Sequence, residues 1–440
     1  MSERLASLAA ASLRPVTGTA ARPLVVVAAS ARALAECLRR AGLPLGGAPL
    51  LAVDAFGDDD LMAAVDGWQA LPLADLRQPE RVMAAVTAVL QRGGAGPAGP
   101  GADILLGGGL DAAHAVIEAL AGTYRLLNAP PPAWRAARDP LLFARLGIAA
   151  PETRLTPPDD GRGWLRKQTG GSAGLGVTAA AGLPRRGAVL GFAPESPETA
   201  AHVDAFWQRR IAGTPVSLLF CAHAGGILAV GVNRQWCSPV AALPFAFGGV
   251  ASAFEPGPRA SDALLEAAAR VTQATGLRGL ASLDALLDRQ GRCFALELNP
   301  RPTASVELYD RAAPGLLGLH RAAVLGEPLP DWRPASGSRA LALLRAPLAL
   351  QTGPRPHAAA DWRQGAVVAA GAPLCTLQVA APDTQTAMRR VRAAAARLRR
   401  RLAQAPHVAA PGDEGFPYNP GEPSRESHRV VISAPWSEHA

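Results

Sequence analysis

The stretch GWLRKQTGGSAGLGV, residues 163–177, raises the chemical question, because Lys167 is the one lysine among 44 lysine and arginine residues. Read as a strand, its first residues put Trp164, Arg166 and Gln168 on one side and Leu165 and Lys167 on the other. Gly170, Gly171, Gly174 and Gly176, with Ser172 among them, then make a soft loop without bulk to keep an anion away. Consecutive backbone N–H groups of such a loop wrap a phosphate. A lysine just ahead of it adds a mobile positive charge on the same anion, whereas an ordinary hairpin tip needs neither the lysine nor so many glycines.

A second stretch, SLDALLDRQGRCFALELNPRP, carries the complementary chemistry. A two-residue hairpin turn at Gln290 and Gly291 would set Asp284 opposite Glu297, with Asn299 two residues on along the same face. The other face would then collect Leu283, Ala285, Leu287, Phe294, Leu296 and Leu298, all apolar. Facing carboxylates repel unless a cation lies between them or they share a proton. The added amide oxygen favours Mg²⁺, which binds few protein groups and leaves room for substrate phosphates. Arg301 can grip a phosphoryl group or a substrate carboxylate bidentately, or it can form a surface ion pair.

Both stretches need a scaffold, and 440 residues suffice for several domains. Aromatic residues make up only 5% of the chain against 49% hydrophobic residues, so the cores must be built from Ala, Leu and Val. PLVVVAAS, ARALAECLRRAG and APLLAVDAFGDDD read as strand, helix and strand, and QPERVMAAVTAVLQRGG, ADILLGGGL and DAAHAVIEALAG as helix, strand and helix. Residues 22–130 therefore read as a small doubly wound α/β domain, ended by the Pro-rich NAPPPAW. Gly107, Gly108 and Gly109 follow one of its strands. They could cradle a phosphate or make a tight turn, but they lack dinucleotide-binding spacing and a P-loop lysine. Residues 131–325 favour strands with a few helices, including DALLEAAARVTQATG. Residues 326–405 form a β-rich unit closed by a helix whose apolar stripe is Met388, Val391, Ala395, Leu398 and Leu402. Residues 1–21 read as a flexible N-terminus and 406–440, rich in Pro, Gly, Ser and charge, as a disordered tail.

The net charge of +8 is spread along the chain rather than gathered in a stripe, so neither a nucleic-acid nor a membrane partner is indicated. The apolar run at the N-terminus is too broken for a secretory signal and no segment approaches a membrane span, which points to the cytoplasm. Cys37, Cys221, Cys237, Cys293 and Cys375 are odd in number and show neither a CxxC pair nor metal spacing, so free thiols are expected.

RKQTGGSAGLGV and SLDALLD with FALELNPRP resemble the glycine-rich loop and the metal-binding segment of the ATP-grasp superfamily. SARALAECLRRAG and GAPLCTLQVAA resemble its carboligase subgroup, which is related to biotin carboxylase. The resemblance spans roughly residues 22–405 in its order of parts and implies an α/β and α+β ATP-grasp fold: a doubly wound pre-ATP-grasp domain, the ATP-grasp module and a small β-rich C-terminal domain. It implies ATP and Mg²⁺ as cofactors, with Mn²⁺ as an alternative ion, and small carboxylate and amine substrates joined through an acyl phosphate. A homodimer is left open.

On this resemblance Lys167 and the amides of Gly170, Gly171, Ser172, Gly174 and Gly176 hold phosphate. Gln208, Arg210 and Ile211 lie near the adenine, Asp284, Glu297 and Asn299 hold metal, and Lys167 and Arg301 are catalytic. Relatives usually carry another lysine upstream of the loop. Here that region reads RAARDPLLFARLG, so Arg135 or Arg138 must substitute or the contact is absent. A bicarbonate-using carboxylase and a non-catalytic ATP sensor are the competing readings.

Overall fold

The computed structural model describes residues 22–93, 101–181, 205–240, 243–310 and 314–404. The expectations for residues 1–21 and 406–440 lie outside the described residues.

Five strands, β1 (Leu24–Val27), β2 (Leu50–Asp54), β3 (Gly67–Ala70), β4 (Asp103–Leu106) and β5 (Arg125–Leu126), form a parallel sheet in the order β3-β2-β1-β4-β5. Every residue of β1, β2 and β4 is buried, as a parallel strand covered on both faces requires. Helices α1 (Arg32–Arg40) and α2 (Asp59–Ala64) cover one face, where Leu34, Leu38 and Leu61 join Leu24 and Val26. Helices α3 (Pro79–Arg92) and α4 (His114–Thr123) cover the other, with Val86, Val89, Ile117 and Leu120 packed with Val25 and Val27. The chain leaves β1 and β4 for opposite faces, so the topological switch point lies between these two neighbours. Their following loops, 28–31 and 107–113, diverge there and open a crevice.

The Pro-rich run is not a plain linker. It forms α5 (Pro131–Ala137), which begins with Pro at its first turn, where a missing N–H costs nothing. Its Trp134 is fully buried in the first domain's core, while Ala133 and Ala137 belong to the next core. After α6 (Leu142–Arg145) come β6 (Thr153–Arg154), β7 (Trp164–Gln168), β8 (Val177–Ala179) and β9 (Ala205–Arg209), an antiparallel sheet ordered β6-β9-β7-β8.

The larger, antiparallel sheet runs β14-β13-β10-β11-β12-β15-β19-β17. It contains β10 (Thr214–His223), β11 (Gly226–Cys237), β12 (Phe247–Ala251), β13 (Gly279–Leu287), β14 (Cys293–Asn299), β15 (Ser338–Arg345), β17 (Ala359–Ala360) and β19 (Pro373–Ala381), while β16 (Leu350–Gln351) pairs with β18 (Val367–Val368). Helix α7 (Pro258–Thr275) packs Leu264, Ala268 and Val271 against this sheet and stops at Gly276, which takes the left-handed conformation. Two more helices, α8 (Val306–Tyr309) and α9 (Gly315–Leu325), precede the C-terminal strands, and α10 (Thr384–Ala403) follows them. Because β15 pairs with β12, the C-terminal strands extend the central sheet rather than forming a separate one. Helix α10 buries Met388 and Val391 on it, with Ala395, Leu398 and Leu402 alongside. Cys37, Cys221 and Cys375 are buried free thiols, Cys293 is half-buried and Cys237 is exposed.

Three regions meet on Arg32, which is only 2% exposed. From the start of α1 its guanidinium donates to Glu307 of α8 at 2.7 and 2.9 Å and to Asp361 of the C-terminal region at 2.9 and 3.1 Å. Asp361 and Glu307 outweigh the cost of burial and hold the guanidinium firmly charged. Nearby, His320 of α9 accepts from the Leu280 amide through Nδ1 at 2.8 Å, and its Nε2 lies 2.7 Å from the Leu127 carbonyl, so the neutral ring donates there. Burial lowers its pKa from 6.5 to about 4.

Among the described residues no helix is long and apolar enough to cross a membrane.

Removing the Arg32 charge strands the buried carboxylate of Glu307 and the half-buried one of Asp361. Arg32→Met should therefore cost about 3–5 kcal/mol of unfolding free energy, read from denaturant titration. His320 binds a proton more weakly when folded, so its contribution is complete above pH 6.5 and fades as pH falls toward about 4. His320→Asn should flatten the melting-temperature profile over that window, and an unchanged slope would count against the buried neutral ring.

Candidate active site

Lys167 projects from the middle of β7, which is hydrogen-bonded on one side to β8 and on the other to β9. Its ammonium donates to Gln208 Oε1 at 2.5 Å. Gln208 is buried and donates in turn to Thr153 Oγ1 at 3.2 Å, so the lysine is aimed by a partner that is itself fixed. Withdrawal from water lowers the Lys167 pKa, and the charges of Glu297 and Asp284 oppose that shift. The lone lysine thus lies in the field of the two carboxylates expected to hold a metal.

The glycine-rich loop closes over this point. Gly170 and Gly174 have φ near 70°, and a Cβ on either would collide, with Ala112 in the first case and with the Phe245 carbonyl in the second. The Phe247 amide donates to the Ala173 carbonyl at 2.9 Å, which ties the loop to the start of β12. The amides of Gly171 and Leu175 are spent on the loop's own turns, to Gln168 and Ser172 carbonyls at 3.0 and 3.1 Å. The amides of Gly170, Ser172, Ala173, Gly174 and Gly176 make no backbone hydrogen bond among the described residues, and they are available to an anion.

The hairpin of β13 and β14 sets Asp284 opposite Glu297, by a different route from the one expected. The Asp288 amide bonds the Arg292 carbonyl at 3.0 Å and Leu287 pairs with Cys293, so the turn has three residues, 289–291, with Gly291 left-handed. That turn alone would offset every pair by one. A β-bulge at Leu296 restores the register between Asp284 and Ala285. The buried face accordingly holds Leu283, Ala285, Leu287, Ala295 and Leu298, whereas Phe294 and Leu296 are only half-buried.

Around this pair the contacts are polar and specific. Asn299 Nδ2 donates to Asp284 Oδ2 at 3.1 Å, and Gln235 Nε2 from β11 donates to Oδ1 at 3.2 Å. Burial and the Glu297 charge raise the Asp284 pKa to about 7, against the opposing pull of Gln235 and two arginines. Arg138 Nη1 donates to Glu297 Oε1 at 2.6 Å and to the Leu298 carbonyl at 3.2 Å, and its Nη2 reaches the Gly171 carbonyl at 3.4 Å. Arg135 instead points outward and pairs with Glu118 on the surface. Of the two candidates for the upstream cation, the structure brings Arg138 to the site.

Arg301 is 7% exposed, and its Nε and Nη2 pair with both oxygens of Asp111 at 2.8 Å. Asp111 belongs to the loop after β4. Burial alone would raise its pKa, but Arg301 and Arg138 hold it below the ordinary carboxylate range. Arg301 is therefore not a surface ion pair: it joins the β13–β14 hairpin to the switch-point crevice of the first domain.

Lys167, Gly170, Gly171, Ser172, Gly174, Gly176, Gln208, Asp284, Glu297, Asn299 and Arg301 thus surround one junction of the two sheets with the first domain. Arg210 and Ile211 lie between β9 and β10, where the Arg210 amide donates to the Gly163 carbonyl at 2.8 Å while its side chain is exposed. Two participants escape sequence reasoning. Asp111 is signalled only by its place after a strand at the switch point, and Gln235 only by its alternation with Asn233 along β11.

The donor set fits a hard divalent cation, with two carboxylates and an amide oxygen. Among the described residues no three His, Cys, Asp or Glu side chains converge, so further ligands would come from substrate and water.

Residues 156–305 match a family model described as an ATP-grasp domain. None of the curated proteins matches the chain. Biotin carboxylase from Campylobacter jejuni superposes with a TM-score of 0.60 at 14% identity, over 83% of this chain and 89% of that one. The biotin carboxylase domain of 2-oxoglutarate carboxylase from Hydrogenobacter thermophilus, solved as a dimer with MgADP and bicarbonate, gives 0.61 at 13% identity, over 84% and 89%. N5-carboxyaminoimidazole ribonucleotide synthetase from Thermotoga maritima gives 0.57 at 12% identity, over 85% and 97%. At such identities the solved structures speak for the fold, and together with the match over residues 156–305 they show that this chain has the ATP-grasp fold, similar to that of biotin carboxylase.

Proposed function

We propose that the protein is an ATP-dependent carboxylate–amine ligase that works through an acyl phosphate and releases ADP and phosphate. The observation that carries this reading is the convergence of Lys167, Arg138 and the glycine-rich loop on the Asp284–Glu297 pair, with Arg301 beside them. Phosphoryl transfer leaves little covalent work to the protein, so positioning and neutralisation of charge supply most of the rate.

In the first step a carboxylate oxygen of the substrate bonds to the γ-phosphorus of ATP as the bridging P–O bond breaks, and ADP leaves with that electron pair. Lys167 and Arg138 neutralise phosphate charge, the unspent amides of the loop, those of Gly170, Ser172, Ala173, Gly174 and Gly176, hold the phosphate, and Arg301 orients the acyl group. In the second step the amine nitrogen bonds to the acyl carbon. The C–O bond to phosphate breaks, and phosphate carries away the electron pair while the amine gives up a proton. Asp284, Glu297 and Asn299 would hold Mg²⁺, or Mn²⁺ in its place, which when bound withdraws charge from the phosphate oxygens. Gln208, with Arg210 and Ile211 at the junction of the sheets, would lie near the adenine.

A second reading has support of its own. The superposed enzymes are two biotin carboxylases and an N5-carboxyaminoimidazole ribonucleotide synthetase, and one of them was solved with bicarbonate. Bicarbonate in place of the organic acid would give carboxyphosphate by the same first step. A biotin carrier would then need a lysine outside these 440 residues, because Lys167 is the one lysine among them and belongs to the phosphate site. A cytoplasmic setting and a homodimer fit either reading.

Hydroxylamine trapping over a panel of acids, bicarbonate included, separates these readings by the hydroxamate formed. Lys167→Ala should lower ADP release by at least a hundredfold with the melting temperature intact, and full turnover in that variant would sink the phosphate clamp. Glu297→Gln removes one of two carboxylates, so the Mg²⁺ concentration for half-maximal rate should rise at least tenfold. An unchanged metal requirement would take the hairpin out of the site.

A further inference from the structure

The formal charge of +8 is less evenly placed than the scatter of arginines along the chain suggests. Helix α10, TQTAMRRVRAAAARLRRRLA, holds seven arginines and no carboxylate, so it carries seven of the eight net charges and leaves the rest of the chain nearly neutral. Arg389, Arg390 and Arg392 stand near its start, Arg397 and the run Arg399, Arg400 and Arg401 near its end, and all are exposed. Among the described residues none of them forms a salt bridge. The closest acid in sequence is Asp383, which caps the helix by accepting from the Thr386 amide at 2.8 Å. Cations in a last turn stabilise a helix end, which accounts for Arg400 and Arg401 but not for the other arginines.

A row of paired residues crosses the large sheet from Ala285 through Val216, Arg234 and Ala251 to Ala340, all on one face. Helix α7 packs at the Ala285 and Val216 end of that face and α10 at the Ala251 and Ala340 end. Asp284, one residue before Ala285, points to the other side, so α10 lies on the back of the sheet that carries the candidate site. Its neighbour α7 shows that bare arginine is not a habit of this face: α7 carries Arg259 and Arg270 with Asp262 and Glu266, and Arg270 pairs with Glu266. Beside α10, Arg392 lies over the Trp236 ring at 4.9 Å, where burial and the charge of Arg234 lower its pKa. Arg234 thus continues the positive surface onto β11.

What this face lacks decides its partner. A protein interface needs an apolar centre, but Met388 and Val391 are buried on the sheet and the residues between the two arginine clusters are alanines. A single strand needs bare aromatic rings on which to stack its bases, and Trp236 is covered by Arg392. Phosphates need only charge and guanidinium forks. The clusters are centred about 13 Å apart along the helix, at a rise of roughly 1.5 Å per residue. That spacing is close to the roughly 12 Å width of a DNA major groove, so a helix laid across the groove sets one cluster on each row of phosphates. We infer that the outer face of α10, with Arg234 beside it, is a docking surface for double-stranded DNA, held through its phosphates without preference for sequence. The inference goes beyond the ligase reading and does not depend on it. It replaces the expectation of no nucleic-acid partner, which took the charge to be spread along the chain. Because the surface is on the back of the sheet, a bound duplex leaves the candidate active site open.

The test is fluorescence anisotropy of a short labelled DNA duplex titrated with the full chain. Affinity should fall at least a hundredfold between about 50 and about 200 mM KCl, because each phosphate contact releases counterions. Arg389→Gln with Arg390→Gln should weaken binding at least fivefold. Arg259→Gln with Arg289→Gln removes the same charge from exposed positions away from α10 and should change it less than twofold. Should the first pair prevent folding, judged by the melting curve, Arg399→Gln with Arg400→Gln decides, with the same fivefold loss expected. Equal losses from the α10 pair and the distant pair would reduce the effect to net charge and overturn the surface. Displacement of the duplex by the magnesium complex of a non-hydrolysable ATP analogue would put the DNA in the phosphate loop and overturn it too. So would a full chain that binds no duplex, or one that binds polyglutamate or phosphatidylserine vesicles more tightly.

Discussion

Buried charge must find its partner inside the protein, and in this chain that constraint fastens the regions to one another. The Arg301–Asp111 pair runs from the end of the β13–β14 hairpin to the loop after β4, both residues nearly inaccessible. Arg32 does the same for α1, α8 and the C-terminal region through Glu307 and Asp361. Apolar packing alone would let small domains slide, because hydrophobic contact is non-directional. Paired guanidinium and carboxylate groups lose several kcal/mol each when separated and left unpaired, so they admit one arrangement. The crevice, the hairpin and the glycine-rich loop meet in a single geometry for that reason.

That constraint also explains the division of labour between arginine and the lone lysine. Arg138 spans three acceptors, Glu297, the Leu298 carbonyl and the Gly171 carbonyl, and only a planar fork covers points so far apart. Among the described residues Lys167 hydrogen-bonds to Gln208, lies near the Phe206 ring and faces the field of two carboxylates. A compact ammonium on a flexible stem can swing from Gln208 to a phosphate at little cost, whereas a guanidinium locked into several bonds cannot.

The sequence exposes whatever has a local signature. The all-buried strands β1, β2 and β4 show as apolar runs, α10 as a stripe through Met388, Val391 and Leu398, and Lys167 stands out by composition. Strand β3, GWQA, hides because its half-buried residues neither alternate nor form an apolar run. The choice between Arg135 and Arg138 is likewise invisible. They sit three positions apart on and just after α5, and only tertiary packing turns one to Glu297 and the other to Glu118. Asp111 and Gln235 escape for a related reason, since each earns its role from a partner more than 45 residues away: Asp111 is separated from Arg301 by 190 positions, Gln235 from Asp284 by 49.

The hairpin shows how an expectation can reach the right residues through the wrong turn. A two-residue turn at Gln290 and Gly291 would keep one register throughout, but the Asp288 side chain accepts from the Gln290 and Arg292 amides at 2.9 and 2.8 Å and stabilises a three-residue turn instead. Because strand side chains alternate, an offset of one would send Glu297 into the apolar face and Leu298 into the site. The bulge at Leu296 absorbs the offset before the functional residues begin. Beyond it Leu283 faces Leu298, Asp284 faces Glu297 and Ser282 faces Asn299. The carboxylate pair is therefore set by the bulge and by the pairing of β13 with β10, and the exposed turn is free to vary in geometry without disturbing the site.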